Sequence, residues 1–148
     1  MNYLVIGDVP PKGHPNLPNL IYTAANNVAI HLSAVDVLLV DNWTDVDHVT
    51  SVLAHISRVW DDIAGCMFLS SVGWRAFLTL CDYPVLVEPS GFRAMAKVRG
   101  STNPAVVIKV SNPRTDLSAL SEYFKWLKLE VEYNVSRSYY SDFEVGRS

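Results

Sequence analysis

The chain has little with which to staple, anchor or cradle anything. Its only cysteines are Cys66 and Cys81, each inside or beside an apolar run and without C-x-x-C spacing. That excludes a disulfide scaffold and a thiol redox motif, and it fits reduced core thiols in a cytoplasmic setting. No apolar run approaches the roughly 20 residues of a membrane span, so no membrane partner is expected. The first residues enter an apolar run with no basic region ahead of it, so no secretory leader is expected either. The seven glycines are scattered. Gly7 is followed by Asp8-Val9-Pro10, and Gly91, Gly100 and Gly146 stand alone, so neither G-x-G-x-x-G nor a Walker loop is present. A nucleophile elbow, internal repeats, linkers and low-complexity blocks are also missing.

What remains is a composition for building a core. Of 148 residues, 49% are hydrophobic and 18% charged, which fits one domain and excludes disorder. Such a chain buries roughly 70% of its unfolded surface without staples. The net charge of −3 is unevenly spread. Residues 1–65 carry seven acids against Lys12 and Arg58, whereas residues 66–115 carry six bases against Asp82 and Glu88. A basic middle in an acidic chain points to an anionic ligand or partner surface, or to a solvated hairpin opposite an acidic face.

Two apolar runs end on aspartates, Tyr3-Leu4-Val5-Ile6-Gly7-Asp8 and Val35-Asp36-Val37-Leu38-Leu39-Val40-Asp41. Both read as buried parallel strands. Between them Asn19 caps a helix whose face is Leu20, Ile21, Ala24, Ala25, Val28 and Leu32. Thr44 caps the next helix, with Val46, Val49, Leu53, Ile56, Trp60 and Ile63 as its buried stripe and Gly65 as its stop. Cys66–Leu69 is a third strand ending at Ser70-Ser71, Val72–Cys81 a third helix, and Pro84–Glu88 a fourth strand. Phe92–Val98 and Ala105–Val110 flank a Gly-containing loop, as a hairpin does. Thr115-Asp116 opens a helix with Leu117, Leu120, Phe124 and Leu127 inward. The alternation of Leu129, Val131, Tyr133 and Val135 with polar residues then predicts an exposed edge strand.

The fold expected is therefore a three-layer α/β domain over residues 1–136. Its mostly parallel sheet, β-α-β-α-β-α-β, is extended by an antiparallel hairpin and a C-terminal edge strand. Residues 137–148 form a tail whose Tyr139, Tyr140 and Phe143 pack on something, such as a partner subunit.

Ligands of open α/β sheets bind outside the carboxyl ends of the strands, which makes Asp8, Asp41 and the Ser70-Ser71 pair candidate ligand residues. His14, in the Pro- and Gly-rich loop after the first strand, is the histidine best situated to join them. Asp8, Asp41, Asp45 and Asp47 could together hold Mg²⁺ if the domain is an enzyme. The alternative is that Asp45 and Asp47 serve a helix N-terminus while Asp41 caps a turn. The plainer reading of Ser70 and Ser71 is as N-caps of the helix that follows.

The sequence of Asp41 after one strand, Ser70 after a later one and Glu88-Pro89 after the next resembles the receiver-domain pattern of phosphoacceptor Asp, Ser/Thr and Lys-Pro. Asp8 is single where receivers carry an acidic pair, one β-α unit is missing, and Glu88 stands where the lysine would answer the phosphoryl charge. His31-Leu32-Ser33, His48-Val49-Thr50 and His55-Ile56-Ser57 resemble the H-x-[ST] motif of two-histidine phosphoesterases, but fall on helices rather than paired strands. Arg93, Lys97 and Lys109 mark the hairpin as an anion or partner surface, all three projecting from one side. The excess of bases is too small to favour nucleic acid.

Two functional classes follow. One is a non-catalytic binding or assembly protein, of the kind fast-diverging viral or mobile-element accessory proteins provide, working by protein contacts or self-association as a homodimer and needing no cofactor. The other is a small enzyme or ligand-binding domain for a phosphorylated or nucleotide-like compound at the strand ends.

Overall fold

The computed structural model describes residues 2–82 and 85–145, with side chains described as far as Asn134. Six strands form one mixed sheet, in the spatial order β2 (Val35–Val40), β1 (Asn2–Asp8), β3 (Ile63–Leu69), β6 (Ala105–Lys109), β5 (Arg93–Ala96) and β4 (Leu86–Val87). Three of them, β1 (Asn2–Asp8), β2 (Val35–Val40) and β3 (Ile63–Leu69), are the expected parallel strands, with β1 between the other two. Alternate residues of β1 enter opposite cores: Tyr3 and Val5 face one way, Leu4 and Ile6 the other. Burial on both faces is why these segments read as continuous apolar runs. β5 (Arg93–Ala96) and β6 (Ala105–Lys109) form the expected antiparallel hairpin.

Helices α1 (Leu17–Asn27) and α4 (Leu117–Val145) cover one face, α2 (Val46–Val59) and α3 (Ser71–Leu78) the other. This is the three-layer α/β sandwich expected. The caps differ from expectation by small steps with local causes. Asn16, not Asn19, accepts a hydrogen bond at the start of α1, ahead of Pro18. Asp45 caps α2 because Thr44 is itself held by Asn42, whose side chain accepts from both the Thr44 N–H and its hydroxyl. Gly65 is not a helix stop. α2 ends in a 3-10 turn at Trp60–Asp62, and Gly65 lies inside β3 beneath α4, where a Cβ would come within 2.8 Å of Leu127 and Val131.

Two larger corrections concern strands. The segment expected as the fourth parallel strand contributes only β4 (Leu86–Val87), antiparallel to β5 at the sheet edge; Pro84 lies outside the described residues. The parallel neighbour of β3 is instead β6. β6 is buried along nearly its whole length and suits an interior position, whereas Leu86 and Val87 are exposed.

The C-terminal edge strand is absent: residues 129–136 belong to α4. Their alternation contains i, i+4 pairs that also fit a helix. The backbone follows that period, burying Val131 with Leu120, Phe124 and Leu127 and leaving Leu129 and Tyr133 exposed. No Gly or Pro interrupts the chain between Arg114 and Val145 to divide helix from strand. The boundary expected at 137 falls inside α4, and the side chains of Tyr139, Tyr140 and Phe143 lie outside the described part of the structure. Among the described residues no helix is long and apolar enough to cross a membrane.

Candidate functional site

The carboxyl ends of β2, β1, β3 and β6 share one edge of the sheet. Because the chain leaves β1 for β2 on one side and returns to β3 on the other, the crevice between the ends of β1 and β3 is a topological switch point. A pocket of about 190 Å³ opens there, lined by Asp8, Val9, Pro10, Pro11, His14 and Thr115, among others. A wider, shallower depression of about 580 Å³ adjoins it through His14 and Thr115 and reaches Leu117 at the start of α4.

Asp8 and His14 line this same pocket, each with a partner that the sequence did not suggest. His14 Nδ1 lies 2.7 Å from the Pro15 carbonyl, which can only accept, so Nδ1 carries the proton. In the neutral ring Nε2 then accepts from the Thr115 hydroxyl at 2.8 Å. Asp8 accepts from the Trp43 indole N–H. The Trp43 ring in turn rests on Gly73 in α3, where a Cβ would come within 2.9 Å of it. Trp43 therefore ties the end of β1 to α3, a role that an isolated Trp between a strand and a cap does not advertise.

The other aspartates do not converge with Asp8. Asp41 is exposed after β2, Asp45 is the α2 cap, and Asp47 sits in the first turn of that helix. Among the described residues no group of three His, Cys, Asp or Glu side chains is arranged to hold a metal ion. Cys66 and Cys81 are buried, and burial pushes the Cys81 thiol up to about 11 and Cys66 well above its ordinary value. Both stay protonated at neutral pH and are poor nucleophiles.

Ser70, Ser71 and Lys109, proposed from separate parts of the sequence, line one small pocket with Arg75 and Ser111. Ser70 Oγ accepts from the Gly73 N–H at 3.0 Å as the α3 cap, and the Lys109 ammonium lies 5.0 Å above the Trp74 ring. Two cations, hydroxyls and a helix N-terminus suit an anion.

Arg93 and Lys97 do not share a side with Lys109. Arg93 pairs across the hairpin with Ile108, so Lys109, one residue on, points to the opposite face. The first two are also occupied: Arg93 bonds Glu88 and Glu130, and Lys97 bonds Asp82 at 2.9 Å. The Glu130 carboxylate raises the Arg93 guanidinium above its usual value, while the Ser90 hydroxyl, with Arg93, holds Glu88 below its own. Much of the basic middle is therefore neutralised within the fold.

A more apolar opening lies elsewhere, between α4 and the turn before β5. Phe92, Trp126 and Leu129, with Ser90 and Glu130 at the rim, line about 410 Å³. Phe92 meets Trp126 edge-on at 5.2 Å, and Trp126 also contacts Tyr123 at 5.7 Å. Trp126 remains 40% exposed, Leu129 54% and Tyr133 59%. Sequence reasoning missed this face, although helical spacing throughout puts Trp126 off the Leu120–Phe124–Leu127 stripe. No protein-family model matches the chain, and no curated protein matches its sequence.

Proposed function

We propose that this chain is a non-catalytic binding or assembly domain that works by protein contacts through the outer face of α4 and the adjoining turn before β5. The observation that carries this reading is the exposed Phe92–Trp126–Leu129 groove. Aromatic side chains with an apolar body in a concave, open setting are what protein interfaces use as anchors, and exposed apolar patches of this kind mark contact sites. The strand-end crevice supports catalysis less well. Its pocket is small, and the polar groups identified there are bonded to one another: His14 to Thr115, Asp8 to Trp43. The test is a photo-crosslinking amino acid at position 129 in cells that naturally make the chain, with Val72, exposed on α3, as control. Discrete adducts at 129 and not at 72 are the expected result; their absence would end this reading.

The second reading is a binding domain or small enzyme for a phosphorylated or nucleotide-like compound. It is favoured by the pocket of Lys109 and Arg75 beside Ser70 and Ser71, next to the β1–β3 switch point. A rise in melting temperature with such compounds that is lost in Lys109→Gln would support it, and no rise would oppose it.

A further inference from the structure

The identity of the partner follows from the pattern on α4, given that its outer face is a protein contact surface. α4 runs antiparallel to the parallel strands. Thr115, just before it, meets His14 at their carboxyl edge, while Val131 lies over Gly65 in the amino-terminal half of β3 and Glu132 acts on Tyr3 near the start of β1. Beyond Val131 the helix runs on for about 21 Å, to Val145, whereas β3 extends only about 7 Å before Gly65, so about 14 Å of helix runs past the start of β3. A projecting segment of that length is marginal without something to pack on.

The exposed stripe that leads into this projection is sorted by charge and by shape. At 100° per residue Leu129 forms its centre line. Lys125 and Glu132 fall on the flank toward α1, where Lys128 donates to the Val28 carbonyl. Trp126 and Tyr133 fall on the flank toward β5, where Trp126 meets Phe92. Two helices packed antiparallel about a two-fold axis set like flank against like flank and reverse the order along it. We propose that a second copy of this chain seats its α4 antiparallel on this stripe, with the axis beside Leu129. Lys125 then faces Glu132 of the partner subunit, and Trp126 faces Tyr133 of the partner subunit, each contact made twice. A parallel pair would set the charged flank against the aromatic one and leave both charges unanswered. The antiparallel pair also lays each projecting end along the first half of the other α4.

Sedimentation velocity on the full chain tests this. The wild type should sediment at twice the chain mass at micromolar concentration. Leu129→Glu, which sets two carboxylates at the axis, should weaken association by ~100-fold or more. Lys125→Glu and Glu132→Lys should each weaken it roughly tenfold. An equimolar mixture of those two variants should regain wild-type association, because every contact again joins a carboxylate to an ammonium. All three positions are exposed, and a thermal melt verifies folding; Leu129→Gln replaces Leu129→Glu if the latter melts early. A wild type that stays monomeric to ~100 µM, a dimer indifferent to all three changes, or a mixture that fails to recover overturns the pairing. The crosslinker at 129 separates the two claims: adducts of another mass only would refute self-pairing while leaving the contact surface standing, and no adduct would remove both.

Discussion

Gly65→Ala measures how tightly α4 lies on the sheet. A Cβ at this position would stand 2.8 Å from Leu127 Cδ1 and from Val131 Cγ2. Carbon atoms rest at about 3.5–4.0 Å, so the helix or its side chains must yield by roughly 0.7–1.2 Å. Leu127 and Val131 are both buried and cannot swing into solvent. Alanine is intrinsically better than glycine inside a strand by about 0.5–1 kcal/mol, whereas overpacking a core costs about 1–3 kcal/mol. The second term wins, leaving a net loss of about 0.5–2 kcal/mol. For a chain of this size that lowers the melting temperature by roughly 2–6 °C. Urea unfolding followed by far-UV circular dichroism should show an earlier midpoint with an unchanged slope. Adding Leu127→Ala makes room for the new methyl, so the double variant should lose about 1 kcal/mol less than the two single losses summed. A Gly65→Ala protein as stable as the wild type, with additive losses, would mean that α4 does not cross β3 at this point.

The remaining predictions concern single features. Ala29 holds φ = 63° at the end of α1, where its N–H donates to Asn26 and that of Ile30 to Ala25, so Ala29→Gly should stabilise by about 0.5–1 kcal/mol in the same urea assay. Cys81, whose pKa burial raises to about 11, stays neutral when folded but ionises near pH 9 when unfolded. Its contribution is complete below about pH 9 and is lost as pH rises toward 11, and Cys66 and Tyr3, also raised, act in the same direction. Stability measured across pH 8–11 should fall steadily, and Ellman's reagent should react with both thiols only on unfolding. Arg93→Gln leaves Glu88 and Glu130 without their shared cation, and because these side chains are about a third exposed the loss should be only about 0.5–1 kcal/mol by thermal melt, shrinking as salt rises.

The parallel strands and the hairpin were legible because each is a short apolar run bounded by turn residues. Leu129–Ser136 was not, since four alternating positions satisfy both a period of two and, through Leu127–Val131 and Leu129–Tyr133, a helical one. Only the missing breaker between Lys128 and Leu129 separates the readings. Lys109 was assigned to the wrong side because the hairpin register, Arg93 opposite Ile108, depends on loop geometry that a sequence does not state. At the strand ends the sequence could propose Asp8 and His14 from topology. It could not propose Thr115, which is distant in sequence and reaches His14 only because α4 starts where β1 ends.

α4 follows every strand that it covers, and this order has a consequence for how the molecule is made. The core between the sheet and α2 and α3 is complete once β6 has been synthesised. On the other face α1 covers only part of the sheet, and Met67, Val106 and Ile108 wait for Leu120, Phe124, Leu127 and Val131. A chain halted or cleaved between Val110 and Val131 thus carries a finished sheet with one wet apolar side, the kind of species that aggregates. For this molecule the hazardous interval in biogenesis is the time needed to add some twenty residues after the last strand, and a chaperone that binds apolar sheet surface would be needed only during that interval.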